Sequence, residues 1–271
     1  MLFRSLASDT FFILTGSAQA TRDADWIGRH IRDNEFAALV DVTSAYSVVS
    51  VMGPKSAELM ARVSADDLSR EALPFSTTRD IDVGYARARA ARMSYIGGAG
   101  YELCVSTDQC VTLYDALHGA GADVGLRDAG YYTIDALRIE AGRRAWGAEL
   151  GPDETPWEAG LRYAVDLEKD TDFIGREALL RQQAEGVRKN LLLFSLDDRA
   201  AFPWGGEPIL MNGIPVGELT STGYSRRHGR ALAMGYARSD RPLDEDAWLA
   251  ARYEIDIAGE RFAATPHFKL A

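Results

Sequence analysis

The stretch from Val124 to Gly160 constrains the fold more than any other part of this sequence. Apolar residues recur at helical spacing from position 131 to position 141, so one face of a helix is expected to point into a core. Glycines at positions 130 and 142 predict where that helix begins and ends. Further on, Thr155 and Glu158 have capping-box spacing, and Pro156 fits the first turn of a second short helix. From the residues alone, this stretch is a buried helix followed by a rigid connector.

Length and composition place the chain among ordinary globular proteins. Its 271 residues can bury a large core and can hold two domains, and 46% hydrophobic with 26% charged residues is typical of soluble proteins. No apolar run approaches the ~20 residues needed to span a bilayer, and the first residues do not form a secretory signal. We therefore expect no membrane association and a cytoplasmic location.

The net charge and the few potential metal ligands argue against nucleic-acid-binding, disulfide-rich and metal-binding classes of protein. A net charge of −10 argues against nucleic acid as a partner, although a local basic groove would still be compatible with a polyanionic ligand. Cys104 and Cys110 are the only cysteines, too few for a disulfide framework or a zinc site built from cysteines. The four histidines are scattered without metal-ligand spacing, so no metal site is predicted.

The N-terminal half predicts alternating strands and helices. We expect strands at 11–15, 37–42 and 46–52, and helices at 21–31, 55–63 and 108–118, the last burying Val111, Tyr114 and Leu117. This β-α-β-β-α order is typical of half a ferredoxin-like fold, with helices packed on one face of an antiparallel sheet. Such a unit normally starts with another strand, which the sequence lacks before Phe11. We therefore expect a truncated α+β body.

A glycine turn divides the region from Val83 to Val105 into two predicted strands. The turn is Gly97-Gly98-Ala99-Gly100, which lacks the residue order of a phosphate-binding loop. The chain also has no dinucleotide-binding fingerprint, so no flavin or nicotinamide domain is expected within it.

From Leu191 onward the pattern changes to six short apolar runs separated by Gly, Pro and Asn turns. A two-residue hairpin turn is predicted at Asn212-Gly213. A short helix at 176–183 precedes this region. We predict a C-terminal antiparallel β-barrel at 189–271 and an α+β body at 1–188.

Several blocks of sequence also carry a resemblance to a known family. They are ALRIEAGRRAWGAEL, TPWEAGL, DFIGREALLRQQ, WGGEPI, VGELTSTGYS, ALAMGY and YEIDIAGERF. In order and approximate spacing they resemble the folate-binding module of dimethylglycine and sarcosine dehydrogenases, which is related to the glycine-cleavage T-protein, an aminomethyltransferase. The resemblance implies a ferredoxin-like folate-binding body, here truncated at its N-terminus, followed by a barrel.

The resemblance also implies a function and its ligands. It implies a module for tetrahydrofolate-dependent one-carbon transfer, whose partners are folate and a one-carbon unit from an N-methyl amine. FAD is expected only on a separate or missing domain or subunit. Two alternatives remain open: a stand-alone aminomethyltransferase or demethylase of the T-protein type, and a non-catalytic regulatory subunit, because a regulatory subunit of pyruvate dehydrogenase phosphatase shares the module.

Two residues flanking the glycine turn match a family motif at each fixed position. They are Tyr95 and Glu102, in YIGGAGYE. The resemblance implies that Glu102 accepts hydrogen bonds from the pterin ring and that Tyr95 lines the same pocket. One carboxylate can accept the adjacent N–H and amino groups of a pterin as a bidentate pair. Without the resemblance, Glu102 would be interpreted as an ordinary solvent-exposed glutamate at the end of a strand. Gly98 departs from the T-protein pattern, where an acidic residue is usual.

Three further positions follow from the resemblance. Thr15-Gly16 aligns with a segment that touches folate through backbone atoms, and Arg138 is a candidate group supporting the folate site. The T-proteins carry a folate-binding arginine where this chain has Ile134, which favours the dehydrogenase-linked branch. The family aspartate that handles protons precedes the position of Phe11 and has no match here. We therefore assign no catalytic residue.

Overall fold

The computed structural model describes residues 2–270, and their side chains from Ser5 onward. The chain forms two compact units. Unit 1 comprises Met1–Ser94 with Gly98–Arg127, and unit 2 comprises Tyr95–Gly97 with Asp128–Ala271. The domain boundary at 188 stays a prediction, since the compact units divide the chain elsewhere.

Unit 1 combines strands and helices. Its elements are β1 Leu2–Ser5, β2 Phe11–Leu14, α1 Ala20–His30, β3 Tyr46–Met52, α2 Ser56–Val63, β4 Thr78–Val83, β5 Ala86–Arg92, β6 Gly100–Ser106 and α3 Cys110–Gly121. The last four strands form an antiparallel sheet in the order β3-β6-β5-β4, and β1 pairs with β2 in a separate two-stranded sheet. The α+β class predicted for this part of the chain is confirmed.

Residue alternation decides which face of the four-stranded sheet is buried. In β5 the alanines at 86, 88 and 90 point into the core while Arg87 and Arg89 point away from it. In β6, Leu103 and Val105 join the same core, which α2 and α3 cover with Met60 and Leu113 among others. The opposite face of the sheet carries the alternate side chains of these strands.

Three expectations for unit 1 are wrong. The run from Ala37 to Val42 is not a strand, because within the described residues no neighbouring strand pairs with it and its side chains are exposed. A strand does precede Phe11, since β1 pairs with β2. Val83 ends β4, a strand that the sequence did not predict, and the chain reverses at Gly84, whose φ of 57° favours glycine.

Unit 2 consists of helices and a closed barrel. Its elements are α4 Tyr131–Glu140, α5 Arg176–Glu185, β7 Lys189–Leu196, β8 Pro208–Met211, β9 Ile214–Ser225, β10 Arg230–Arg238, α6 Glu245–Ala250, β11 Tyr253–Ile257 and β12 Glu260–His267. The six strands close in the order β10-β7-β12-β11-β8-β9, with every neighbouring pair antiparallel. The prediction of a C-terminal antiparallel barrel is confirmed.

Helix α4 packs against the outside of the barrel. It begins after Gly130 and is followed by Gly142, whose φ of 64° ends it, as the sequence predicts. Ile139 is fully buried against side chains of β7 and β10. At Gly223 of β9 a Cβ atom would lie 2.9 Å from the Cα of Ala136, so this glycine permits the close approach of strand and helix.

The predicted capping box is present at the connector. The Thr155 amide donates to Glu158 Oε2 at 2.9 Å, and the Glu158 amide donates to Thr155 Oγ1 at 3.2 Å. It opens a single hydrogen-bonded turn rather than a regular helix. Trp157 is buried in this turn and donates its indole N–H to the carbonyl of Leu179 on α5. Side-chain hydrogen bonds and the buried Trp157 therefore hold the connector in place, although it forms no regular helix.

Candidate functional site

Glu102 lies in the middle of the four-stranded sheet, on the face that the helices do not cover. Its cross-strand neighbours are Ser50 on β3 and Ala91 on β5. Because Tyr101 and Leu103 on either side point into the core, the pleat directs Glu102 to the opposite face. The alternation of β6 therefore places this carboxylate on the sheet face opposite the hydrophobic core.

The side chain of Glu102 lines a small, mostly apolar pocket. The other residues around this pocket, which we call the β6 pocket, are Phe12, Leu14, Val48, Thr78, Arg89, Ala91 and Cys104. Its volume is about 20 Å³, which is room for one water molecule. Strand β2 contributes Phe12, whose ring meets that of Tyr46 edge-on at 5.5 Å between centroids. Apolar side chains thus surround a carboxylate that is only partly exposed.

The carboxylate of Glu102 is poorly solvated. Burial raises its pKa above the ordinary value of 4.5. Among the side chains described from Ser5 to Leu270, none donates a hydrogen bond to it. Arg89 borders the same pocket, but its guanidinium is engaged by both oxygens of Asp80 at 2.8 and 3.2 Å. Glu102 is therefore a half-buried acceptor that the described side chains leave without a hydrogen-bond donor.

Two other residues implied by the resemblance have partners of their own. Tyr95 lies in the loop between β5 and β6, and its hydroxyl donates to the carbonyl of Arg144 at 3.2 Å within unit 2. Burial raises the pKa of Tyr95. In unit 1, Thr15 donates its hydroxyl to Asp23 at 2.5 Å, and the Gly16 carbonyl accepts the amide of Gln19. Their contacts with folate stay predictions.

Arg138 belongs to a buried polar cluster of unit 2. It is 2% exposed, and its guanidinium forms an ion pair of 2.7 Å with Glu149, which is 0% exposed. Its other donors reach Ser221, Asp135 and the carbonyl of Arg143. Glu149 in turn accepts from the Ala145 amide and the Thr220 hydroxyl. The donors of Arg138 therefore hold α4 to the connector and the barrel. A contact with folate stays a prediction.

Sequence reasoning missed most of the residues around Glu102. Phe12, Val48 and Cys104 come from three strands and share no linear motif. The alternation of side chains along β6 could have indicated part of this pocket, because Glu102 and Cys104 both point away from the core. Glu149, the partner of Arg138, was also missed, although it lies in the AWGAEL block that carries the resemblance.

The folded chain has the architecture of an aminomethyltransferase. It superposes on the crystal structure of the glycine cleavage system aminomethyltransferase T from Bartonella henselae with a TM-score of 0.77. The identity is 23%, over 93% of this chain and 65% of the other. This likeness concerns the fold.

Sequence comparison then defines the family. Residues 1–169 match the family model of the GCVT N-terminal domain, and residues 189–270 match that of the glycine cleavage T-protein C-terminal barrel domain. The chain belongs to the glycine cleavage T-protein family. An aminomethyltransferase from Halothermothrix orenii is 32% identical, over 96% of this chain and 71% of that protein.

Longer proteins match as well. The mitochondrial sarcosine dehydrogenase of Mus musculus is 35% identical over 99% of this chain and 29% of its own length. The pyruvate dehydrogenase phosphatase regulatory subunit of the same organism is 33% identical over 96% of this chain and 31% of its own length. The chain thus spans about 30% of these two relatives, and identity does not separate a dehydrogenase from a regulator.

No helix in the described part of the chain is long and apolar enough to cross a membrane. Between residues 2 and 270, no three side chains of the His, Cys, Asp or Glu type are grouped so that they can hold a metal ion.

Proposed function

We propose that this chain is a tetrahydrofolate-dependent one-carbon transfer module, and that Glu102 holds the pterin. The observation that carries the proposal is the half-buried carboxylate of Glu102, which has no hydrogen-bond donor among the side chains described from Ser5 to Leu270 and borders the β6 pocket. A ligand that presents two adjacent donors matches the two oxygens of this carboxylate. Family membership supports the same ligand.

The chemistry of the β6 pocket fits a reduced pterin. An ionised carboxylate accepts two adjacent N–H donors in a charge-assisted bidentate arrangement. Phe12, Leu14 and Val48 offer apolar surface for a flat ring, and Cys104 adds a soft, polarisable neighbour. When bound, tetrahydrofolate supplies the amine nucleophile that takes up a one-carbon unit. Within this chain, Glu102 orients the ring and the apolar residues exclude water from it.

Access to Glu102 needs a local movement. A space of about 20 Å³ holds one water molecule and is far smaller than a pterin ring. Strand β2 belongs to a two-stranded sheet separate from the sheet that carries Glu102. Ring binding therefore requires Phe12 and Leu14 to move away from β6.

We further infer that the one-carbon unit comes from the oxidation of an N-methyl amine on a flavin-containing domain or subunit. The 35% identity with a sarcosine dehydrogenase supports this link. So does Ile134, which stands where the T-proteins carry a folate-binding arginine. No residue of this chain is assigned a catalytic role, so the module acts by positioning the folate. We place the protein in the cytoplasm as part of the same proposal.

Calorimetric titration with 5-formyl-tetrahydrofolate tests the proposal. We expect saturable binding by the wild-type chain. Glu102→Gln should weaken binding by about tenfold or more, since a hydrogen bond to a charged group contributes about 1.5 to 3 kcal/mol. Glu71→Gln, an equally conservative change at an exposed glutamate of unit 1, is the matched control and should bind like wild type. Unchanged affinity of the Glu102 variant would remove this residue from the site.

A second function is supported by the match to a phosphatase regulatory subunit. In that case the fold serves protein interaction, and the pocket at Glu102 has no folate to bind. The same titration separates the two functions, because absence of heat at millimolar 5-formyl-tetrahydrofolate favours the regulatory role. Folded protein, verified by circular dichroism, is required for that conclusion.

A further inference from the structure

The hairpin that joins β9 to β10 concentrates positive charge in an acidic protein. Its turn reads Arg226-Arg227-His228-Gly229 and is followed at once by Arg230. Arg226 and Arg227 are exposed, and the amide of His228 is fixed by the Ser225 hydroxyl at 3.0 Å. The whole chain carries a net charge of −10, so this turn stands out against its surroundings.

Two other segments of unit 2 bring polar groups to the same end of the barrel. Arg230 lies 3.9 Å from Asp197, which follows β7. A Cβ atom added to Gly229 would lie 4.0 Å from a guanidinium nitrogen of Arg199 in that same loop. At the end of β12, the His267 ring is 3.0 Å from the Ser195 hydroxyl. We call this group the cationic end; it comprises Arg199, Arg226, Arg227, His228, Arg230 and His267.

His267 lies close enough to His228 and Arg230 for both residues to affect its pKa. Burial lowers its pKa below 6.5, and the positive charges of His228 and Arg230 lower it further. Asp197 is the acidic group that acts in the opposite direction.

Carboxylates at the cationic end are too few to neutralise it. Asp197 is shared between Arg230 and the Thr265 hydroxyl. Asp198 accepts the amide of Ala200 and so helps to shape its own loop. Arg199, Arg227 and Arg230 thus outnumber the two aspartates of these segments, and both aspartates are exposed, whereas Arg226 also borders a groove lined by Asp135 and Glu140 of α4. An arginine guanidinium presents donors in a planar fork that suits phosphate and carboxylate groups.

We propose that the cationic end is a binding site for a small multivalent anion that carries phosphate or carboxylate groups. The β9–β10 turn, the loop after β7 and the end of β12 each contribute cationic or imidazole side chains to this end of the barrel. The overall negative charge of the chain disfavours long polyanions such as nucleic acids, whose phosphates extend over acidic surface. The cationic end and the β6 pocket share no residues.

Titration with two anions tests this site and identifies the chemistry that it prefers. The full-length chain is titrated by calorimetry with inorganic tripolyphosphate and, separately, with citrate at low ionic strength. We expect saturable binding of at least one anion, weakened about tenfold in Arg226→Glu/Arg227→Glu. Both arginines are exposed, so the variant should fold. Tighter tripolyphosphate binding indicates a phosphate ligand, and tighter citrate binding a carboxylate ligand.

A control variant with the same change in charge, placed outside the cationic end, distinguishes a local binding site from a general electrostatic effect of the whole protein. Arg238→Glu/Arg261→Glu reverses two exposed arginines on β10 and β12 outside the cationic end, and it should keep its affinity within about twofold. An equal loss in both double variants would overturn the proposal, as would absence of binding at millimolar anion. Arg199→Glu provides an independent third reversal and should also weaken binding.

Discussion

The buried ion pair of Arg138 and Glu149 gives the sharpest test of how unit 2 is held together. The substitution Arg138→Met keeps the length and packing of the side chain but removes its charge and its donors. Glu149 would then be a carboxylate at 0% exposure with the Ala145 amide and the Thr220 hydroxyl as remaining donors, and without its cation.

The expected cost follows from that uncompensated charge. Removing one partner of a buried pair costs about 3 to 5 kcal/mol, whereas an exposed pair contributes about 0 to 1 kcal/mol. The contact of Arg138 with Asp135 is of the second kind, since Asp135 is about half exposed. We therefore expect a loss of about 3 kcal/mol or more in the free energy of unfolding, almost all of it from Glu149.

Urea unfolding followed by circular dichroism measures this loss. Arg261→Met, the same change at an exposed arginine of β12, is the control and should alter stability by less than about 0.5 kcal/mol. The double variant Arg138→Met/Glu149→Gln should lose less than the sum of the two single variants, because it leaves no unpaired charge. A loss below about 1 kcal/mol for Arg138→Met would refute the reasoning.

The same variant tests the folate role that the resemblance implies for Arg138. Its donors are engaged within unit 2, so folded Arg138→Met should bind 5-formyl-tetrahydrofolate within about twofold of wild type. A tenfold loss of affinity in the folded variant would instead place Arg138 at the ligand.

Other substitutions probe the helix contact, the Glu102 carboxylate and the connector. Gly223→Ala should destabilise unit 2 by about 1 to 3 kcal/mol in urea unfolding, because its Cβ would lie 2.9 Å from the Cα of Ala136; an unchanged midpoint would contradict the close approach. Because burial raises the pKa of Glu102, the folded state binds its proton more tightly, and its ionisation lowers stability as the pH rises from 4.5 through the folded-state pKa. Glu102→Gln should therefore gain stability over wild type at about pH 7 but not at about pH 4, and equal differences at both pH values would argue against a desolvated carboxylate. Thr155→Ala removes one hydrogen bond to Glu158 and should cost about 1 kcal/mol in thermal unfolding; no loss would show that Pro156 and packing hold the turn.

Local chemistry made part of the fold predictable. The limits of α4 follow from Gly130 and Gly142, since a glycine that adopts positive φ ends a helix without steric cost. The capping box at Thr155 and Glu158 forms because both partners lie within one turn of chain. The six barrel strands follow from short apolar runs between turn residues, where little else competes.

Predictions failed where a distant partner decides the outcome. The run at 37–42 has the composition of a strand, but a strand requires a neighbour to satisfy its backbone groups. In α3 the periodicity correctly indicated Leu117, yet Val111 is 70% exposed and Tyr114 is 39% exposed. Leu113 occupies the buried position instead, because α2 and β6 approach from that side.

The motif beside the glycine turn was enough to indicate Glu102 as the candidate carboxylate, and the order of the sequence blocks was enough to indicate the family. The folded chain was needed to show that Glu102 faces a mostly apolar pocket lined by Phe12 and Leu14 of β2, and that Arg138 is paired with Glu149. The physical reason is that burial and hydrogen-bond pairing depend on groups brought together from distant parts of the chain. Arg138 and Ser221, for example, are 83 positions apart and become hydrogen-bonded only when α4 packs on the barrel.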